Sequence, residues 1–536
     1  MIRVAAAQLA AGSDVAVNLA ACLRLLDEAA ATGADLVVLP EFCNHLSWYD
    51  DREHARRMAC TRGDSFLTAI AERAAGHGIH VKIGVTLARD DGRITATSLL
   101  FGPDGALLGT SDKQILMGAE NDHLDAGDED SPVLDTALGR IGMYACMEGV
   151  INEVTRSLAL RGAQLLLNSL NSFAVDEASL HVPVRAAENK VWVVAANKVG
   201  PLLPAEQLPA IARRLGVPAD RLHGAGESQI VAPDGGCVAK APRTGEAVIV
   251  ADIDLARAAD KRRPDGTDLF AARRPELYAP LLISAPGRRA PAGAPEITAA
   301  ITVPDAAAIR ALAAGGAELL VLPELAPIPI PEVISALADS TAHAVLTVRD
   351  GDAHHAVLVH AGGVLGRQPQ LHPTARHPWL RAPGTELRVF ELPWGRLALV
   401  AGDDALFPET FRLAAIQDAD VVAVSCTPAE DWELDLGLPE RAAENRLNVV
   451  AAGLVSGELT GAICALSPDF TLWTAWQGPF TGVISHPEVH RVAPGAVGVR
   501  APIRPAQAVN RTVSRGTDLV DGRPRRPLDA LTLTAH

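Results

Sequence analysis

The chain repeats itself, and that repeat constrains its fold more than any other feature. ADLVVLPEF (Ala34 to Phe42) returns as AELLVLPEL (Ala317 to Leu325). GRIGMYACMEGVINEV from Gly139 returns, more faintly, as GRLALVAGDDALFPET from Gly395. RAAENKVWVVAANKVG from Arg185 returns as RAAENRLNVVAAGLVS from Arg441, and both of these pairs stand 256 residues apart. The tails correspond as well: GTDLFAARRPELY from Gly266 resembles GTDLVDGRPRRPLD from Gly516. Four segments in one order, two of the pairs at the same offset, read as two copies of one domain. Between them APGRRAPAGAPE, rich in Pro, Gly and Arg and without periodicity, reads as a linker. The expected division is a first domain over 1–284, a linker over 285–295 and a second domain over 296–536.

Within each copy, short runs such as DLVVLP, HVKIGVTL, AQLLLNS and VWVVAAN are apolar on both faces, as strands covered on each side are. They alternate with amphipathic stretches such as NLAACLRLLDEAAATG and SFLTAIAERAAGHG, the second ending at a glycine suited to a helix C-cap. That alternation predicts layered α/β domains. Aromatic residues are only 4% of the chain, so the cores must be built from Ala, Val, Leu and Ile. The net charge of −16 disfavours nucleic acid or an anionic membrane as partner, since phosphate contacts need concentrated Lys and Arg. The seven cysteines are odd in number, widely scattered and without a CxxC pair, so neither a disulfide framework nor a metal centre is expected. No apolar run approaches the roughly 20 residues of a membrane helix. The N-terminus reads as a first strand rather than a signal peptide, and a cytoplasmic address is expected.

Three residues stand at the ends of strand-like runs in the first copy: Glu41 after DLVVLP, Lys113 in LLGTSDKQ and Cys146 after IGMYA. Loops at strand ends are where a rigid sheet positions catalytic groups. A thiol is a strong nucleophile once deprotonated, a carboxylate can take its proton, and an ammonium can stabilise the oxyanion that forms. Each alone has a plainer reading, as core cysteine, helix cap or solvated lysine; only the set points to acyl transfer from a C–N bond to water.

The ordered segments resemble the nitrilase superfamily of carbon–nitrogen hydrolases. LVVLPEF with Glu41 is similar to its first motif, DKQILMGAENDHLDAG with Lys113, Glu120 and Gly127 to its second, and GRIGMYACMEG with Cys146 to its third. RAAEN at 185–189, GESQIVAPDG at 226–235 and DLFAARRPELY at 268–278 resemble later landmarks. The resemblance implies a four-layer αββα sandwich, with Glu41 as general base, Cys146 as nucleophile, Lys113 as oxyanion stabiliser and Glu120 as accessory carboxylate. It also implies an oxyanion hole using the Met147 backbone N–H, and no metal or organic cofactor. Trp48 and Tyr49 are candidate pocket residues, with Asn44 and His45 as further polar candidates. Cys146-Met147-Glu148 is reminiscent of true nitrilases, which usually carry Trp where Met147 stands, so the motif leaves amide and nitrile open. The leading expectation is hydrolysis of a small amide or N-carbamoyl compound. Nitrile hydrolysis, a thioester-based acyl transfer and a non-enzymatic ligand-binding scaffold are the alternatives.

The second copy keeps Glu324, but Cys146 falls on Gly402, and all six lysines lie in the first half. His372 stands near the place of Lys113. The second copy is therefore expected to be inactive and to pack against the first as a pseudo-dimer within one chain; family habit leaves further association open. About 21 extra residues around Pro201 to Gly224 read either as a lid or pocket wall or as a surface decoration. Six histidines between His343 and His377 carry no metal motif and read as residues of a half-exposed strand.

Overall fold

The computed structural model describes residues 1–283, 287–288 and 290–533. Of the expected linker, residues 285, 286 and 289 lie outside the described residues, as does residue 284 at the expected end of the first domain. Four six-stranded sheets carry the fold. The first has the order Ala247–Ile253, Ile2–Gln8, Leu36–Val38, His80–Ala88, Ile94–Phe101 and Leu107–Asp112. The second runs Cys237–Lys240, Gln229–Val231, Trp192–Ala196, Leu165–Ser169, Gly139–Ala145 and Val133–Thr136. Each has three central parallel strands and antiparallel edges.

Alternation along the strands builds the layers. Val4, Ala6, Leu36 and Val38 point to one side and meet Ile141, Met143, Leu165 and Leu167 of the second sheet. Ala5, Ala7 and Val37 point to the other side, against Leu25, Leu26 and Ile70. Those residues belong to helices Val15–Ala31 and Ser65–His77, capped by the side chains of Asp14 and Asp64. The second of them stops at Gly78, whose φ of 66° is the left-handed conformation expected of its C-cap. On the far side of the second sheet Val154, Leu158 and Ala186 cover Tyr144, Leu166 and Val193.

The remaining two sheets repeat these orders. Gly498–Ile503, Ile297–Thr302, Leu319–Val321, His343–Asp350, Ala353–His360 and Gly363–Pro369 form one. Glu488–Arg491, Glu458–Ala465, Asn448–Val455, Val421–Ser425, Gly395–Ala401 and Val389–Leu392 form the other. The halves differ at three places among the described residues. Between the second and third parallel strands the first half carries two helices, Arg52–Met58 and Ser65–His77, and the second half one, Ile330–Ala336. Residues 201–224 carry the extra helix Leu208–Leu215 in the first half. In the second half, the tight turn that joins Gln229–Val231 to Cys237–Lys240 is replaced by a long loop between Ala465 and Glu488.

The halves share a continuous core in which Met147, Val150, Ile151 and Tyr278 meet Phe411, Leu413 and Leu438. Buried ion pairs cross it in matched fashion: Arg156 Nε lies 3.0 Å from Glu409 Oε1, and Arg412 Nε lies 2.8 Å from Glu153 Oε1. Arg273 Nε also reaches Glu409 Oε1, at 3.0 Å. Such reciprocal contacts are those of an isologous interface. No helix among the described residues is long and apolar enough to cross a membrane.

Candidate active site

In the first half, the strands carrying the expected chemistry end at one edge of the paired sheets, where an open α/β sheet offers its crevice. Glu41 follows Leu36–Val38, Lys113 follows Leu107–Asp112 and Cys146 follows Gly139–Ala145. Lys113 Nζ stands between two carboxylates, 3.1 Å from Glu41 Oε1 and 2.9 Å from Glu120 Oε2. All three side chains are buried. Glu120 also accepts the Met117 N–H at 2.9 Å, which fixes it as Lys113's anchor. Beyond the ion pair with Lys113, neither Glu41 oxygen has a hydrogen-bond partner among the described residues.

Cys146 has φ 50° and ψ −110°, a strained backbone for a residue with a side chain. Its N–H donates to Ser169 O and Asn168 Oδ1, both at 3.1 Å, and the short turn Met147–Val150 follows at once. A nucleophile on a sharp strand-to-helix turn is held forward of the sheet with backbone N–H groups beside it. Glu148 ties this turn to the Lys113 loop, accepting the Gln114 N–H at 2.7 Å and the Ala145 N–H at 2.8 Å.

Burial shapes the charges. It pushes the Cys146 thiol well above its ordinary range, against the pull of Lys113. It likewise raises the Glu41 carboxyl, with Lys113 opposing and Glu120 reinforcing the rise. For Lys113 burial alone would lower the pKa, but Glu120 and Glu41 outweigh it and hold the ammonium firmly charged. The resting thiol is thus neutral, beside a fixed cation and a carboxylate with raised proton affinity.

Backbone packing sets the position of Glu41. Gly84 N–H donates to Pro40 O at 3.0 Å, and a Cβ at Gly84 would lie 2.8 Å from Glu41 Cα and 2.9 Å from Pro40 O. Gly84→Ala should therefore displace Glu41 and lower kcat by roughly 100-fold. Parallel kinetics and melting curves check this: the kcat loss should exceed anything a small drop in melting temperature explains.

A cavity of about 610 Å³ opens over Cys146, and the expected Glu120, Met147, Trp48 and Tyr49 line it. Trp48 Nε1 donates to Gln207 Oε1 of the extra segment at 3.0 Å, while Tyr49 OH is engaged with Thr86 Oγ1 at 2.6 Å. Asn44 and His45 are not cavity contacts. Asn44 is committed to the backbone of Met58 and Thr86, and His45 to Leu46 O. The extra segment forms one wall through Leu202, Ile211 and Leu215. The second half supplies another, through Leu472 and Trp473 of its long loop and Val513 of its tail.

Three buried residues carry no motif and escape sequence reasoning. Lys82 Nζ donates to Ser169 Oγ, which donates to Leu39 O at 2.5 Å, and Lys198 Nζ donates to Phe42 O at 2.8 Å. These lysines clamp the chain on either side of Glu41. Burial lowers them to about 7 and about 8 respectively. Glu177 lines the cavity with Oε2 unpartnered among the described residues, and burial raises its carboxyl to about 8.

The corresponding place in the second half is built differently. Gln370 N–H donates to His354 O at 2.7 Å and Gly384 N–H to Gln370 O at 2.8 Å, matching Lys113 N–H to Ala96 O and Gly127 N–H to Lys113 O, each 2.8 Å. Strand register therefore puts Gln370, not His372, at the place of Lys113. His372 is instead tied to Asp404 Oδ1 and Tyr278 OH, each at 2.8 Å. Gly402 takes the place of Cys146 with nearly the same φ, 55°, and a Cβ there would lie 2.4 Å from Glu324 Oε1. Glu324, His354 and His377 bring possible ligand atoms within 4.8 Å of one another. Arg376 Nη2 occupies that carboxylate at 2.6 Å, and Gln370 Oε1 accepts from both imidazoles, at 2.7 and 2.9 Å.

The carbon–nitrogen hydrolase family profile matches residues 3–263. A nitrilase of Pyrococcus abyssi is 30% identical over 257 residues, which is 48% of this chain and 90% of that protein. Omega-amidase NIT2 of Bos taurus is 30% identical over 289 residues, 52% of this chain and 96% of the relative. N-carbamoylputrescine amidase of Arabidopsis thaliana is 26% identical over 295 residues, with 52% and 94% covered. The two relatives at 30% identity, each matched over 90% or more of its own length, carry the assignment: this chain belongs to the nitrilase superfamily of carbon–nitrogen hydrolases.

Proposed function

We propose that the protein is a thiol hydrolase of small amides or N-carbamoyl compounds, with Glu41, Lys113, Cys146 and Glu120 as its catalytic set. The observation that carries this reading is the buried Lys113 ammonium held between Glu41 and Glu120 beside a strained cysteine. As the thiol attacks the carbonyl carbon, its proton passes to Glu41, and Lys113 with the Met147 N–H stabilises the oxyanion. Collapse breaks the C–N bond, and the proton held by Glu41 leaves with the departing nitrogen as ammonia or an amine. Water, deprotonated by Glu41, then attacks the thioester; the carboxylic acid departs and the proton returns to sulfur. Two of the three relatives are named as amidases and one as a nitrilase, which supports amides as the leading substrates and nitriles as the alternative. Glu148 spends both carboxylate oxygens on backbone N–H groups, so it offers no separate support for nitrile chemistry.

The test is ammonia release from amides, N-carbamoyl amino acids and nitriles by wild type and Cys146→Ala. Turnover of any class that vanishes in the variant supports the reading, whereas full activity in the variant overturns it. Because burial raises Glu41, kcat/KM should fall with decreasing pH already above the ordinary carboxylate range. A pH–rate profile with its acidic limb near 4 would contradict Glu41 as the base.

The same reading covers the architecture. Residues 1–284 and 296–536, joined by 285–295, are two copies of an αββα sandwich packed as a pseudo-dimer within one chain. The second copy is inactive, lacking both the lysine and the thiol, and serves the first by walling its cavity. The matched strand orders and reciprocal ion pairs support this.

A further inference from the structure

The inactive half contains, inside its own former site, an occupant. Arg263 comes from the tail of the first half and is buried. Its Nε donates to Glu433 Oε1 at 2.7 Å, and its Nη2 donates to Glu433 Oε2 and Thr427 O, each at 2.8 Å. Its Nη1 reaches Asp403 Oδ1 at 3.2 Å. The guanidinium fork grips the carboxylate in the two-pronged fashion that makes such pairs strong. With Arg263 in place, the cavity beside Gly402 shrinks to about 20 Å³.

The positions that make these contacts have counterparts in the catalytic half. Glu433 opens the turn Glu433–Gly437 before the helix bearing the second RAAEN, as Glu177 opens Glu177–His181 before the first. Asp403 follows Gly402 as Met147 follows Cys146. The two GTDL tails align through Leu269 N–H to Lys261 O and Leu519 N–H to Arg511 O, both 3.0 Å, which puts Val513 where Arg263 stands. The catalytic half therefore keeps the carboxyl that receives the cation and lacks the cation. A valine side chain cannot reach Glu177, and the space it leaves belongs to the 610 Å³ cavity.

We infer that Glu177 is the specificity residue of this cavity, and that the substrate is an amide whose far end carries a guanidinium or primary ammonium docked on it as Arg263 docks on Glu433. This rests on the hydrolase reading above and deepens it. Arg263 Nη1 also meets Asp265 Oδ2 at 2.8 Å. With Asp403 replaced by Met147 and Asp265 by Arg515, a ligand cation meets one carboxyl instead of three, which suits a monocation on an apolar spacer. Two arginines line the cavity as well, Arg515 engaged with Asp122 at 2.8 Å and Arg214 exposed, so an anionic amide is the competing substrate that succinamate represents.

Two measurements test the inference. The first is kcat/KM for 4-guanidinobutanamide, 4-aminobutanamide, butanamide and succinamate, in wild type and Glu177→Gln. The cationic amides should exceed butanamide by about 100-fold, because a site built around a polar pair rejects a ligand that leaves it unpaired. That ratio should collapse in Glu177→Gln, mainly through KM. Equal rates for cationic and neutral amides, a preference for succinamate, or an unchanged ratio in the variant would overturn it. The second is calorimetric binding of butylguanidinium, which has no scissile bond. Wild type should bind it, and Val513→Arg, which restores the internal guanidinium, should abolish binding while remaining folded by melting. Binding that persists in Val513→Arg, or is absent in wild type, overturns the inference even if Glu177→Gln fails to fold. Cation binding without turnover of any amide would instead sink the hydrolase reading and leave only the Glu177 cation site standing.

Discussion

Lys113→Met should lower kcat/KM by roughly 10⁴-fold or more, a larger effect than removing a single oxyanion donor. The lysine acts on three groups at once. It is the charge toward which the oxyanion develops, the main influence favouring the Cys146 thiolate, and the counter-ion of Glu41 and Glu120. Methionine matches its length and removes the cation that stands between Glu41 and Glu120. The proton affinity of Glu41, already raised by burial, then rises further, so the base is neutralised together with the loss of the electrophile. Stability should follow the same chemistry. Carboxyls with raised native pKa values cost nothing below the ordinary carboxylate range and progressively destabilise as pH rises through the raised values. The variant should therefore approach wild-type stability near pH 4 and fall behind it at pH 7 and above. Melting temperature against pH checks this. A constant deficit would place the lesion in packing, and turnover within tenfold of wild type would remove Lys113 from the mechanism.

Glu409→Ala should destabilise the chain by about 3–5 kcal/mol, because it strands two guanidinium groups in the core between the halves. Arg156 and Arg273 both meet this carboxylate at 3.0 Å. Burial alone would raise its pKa, but the two arginines hold it down at about 2. The pair contributes stability above the ordinary carboxylate range, and that contribution is lost as pH falls toward 2. Glu28→Ala, which breaks an exposed pair with Arg24 at 2.7 Å, serves as the control and should cost about 0–1 kcal/mol. Denaturant unfolding of both variants measures the contrast. Equal losses would mean that the arginines find other partners.

Much of this was legible in the sequence, for identifiable reasons. Glu41, Lys113, Glu120 and Cys146 each sit in a segment whose strand pattern or motif marks them, and the structure brings them together. The extra segment at 201–224 stood out as an insertion and does form a cavity wall. Lys82, Lys198 and Glu177 were invisible because their importance comes from burial, which is a property of the assembled sheets. His372 was the nearest ionisable residue to a lost lysine, whereas strand register selected the uncharged Gln370. The loop from 466 to 487 went unnoticed because one insertion masked the other: residues gained there nearly restore the length missing from 201–224. Arg263 lay in plain view, but only three dimensions carry it into the opposite half.

The crossing tails have a consequence for how such a protein changes its substrate. When two identical chains pair, a tail residue that shapes a neighbour's site is present twice, and every substitution alters both sites together. Here the two tail positions are separate residues, Val513 over the cavity beside Cys146 and Arg263 beside Gly402. One is free to vary with the ligand of that cavity while the other goes on binding the halves together. Libraries aimed at new specificity therefore belong in 466–487 and 513–515, within the half that does not carry Cys146.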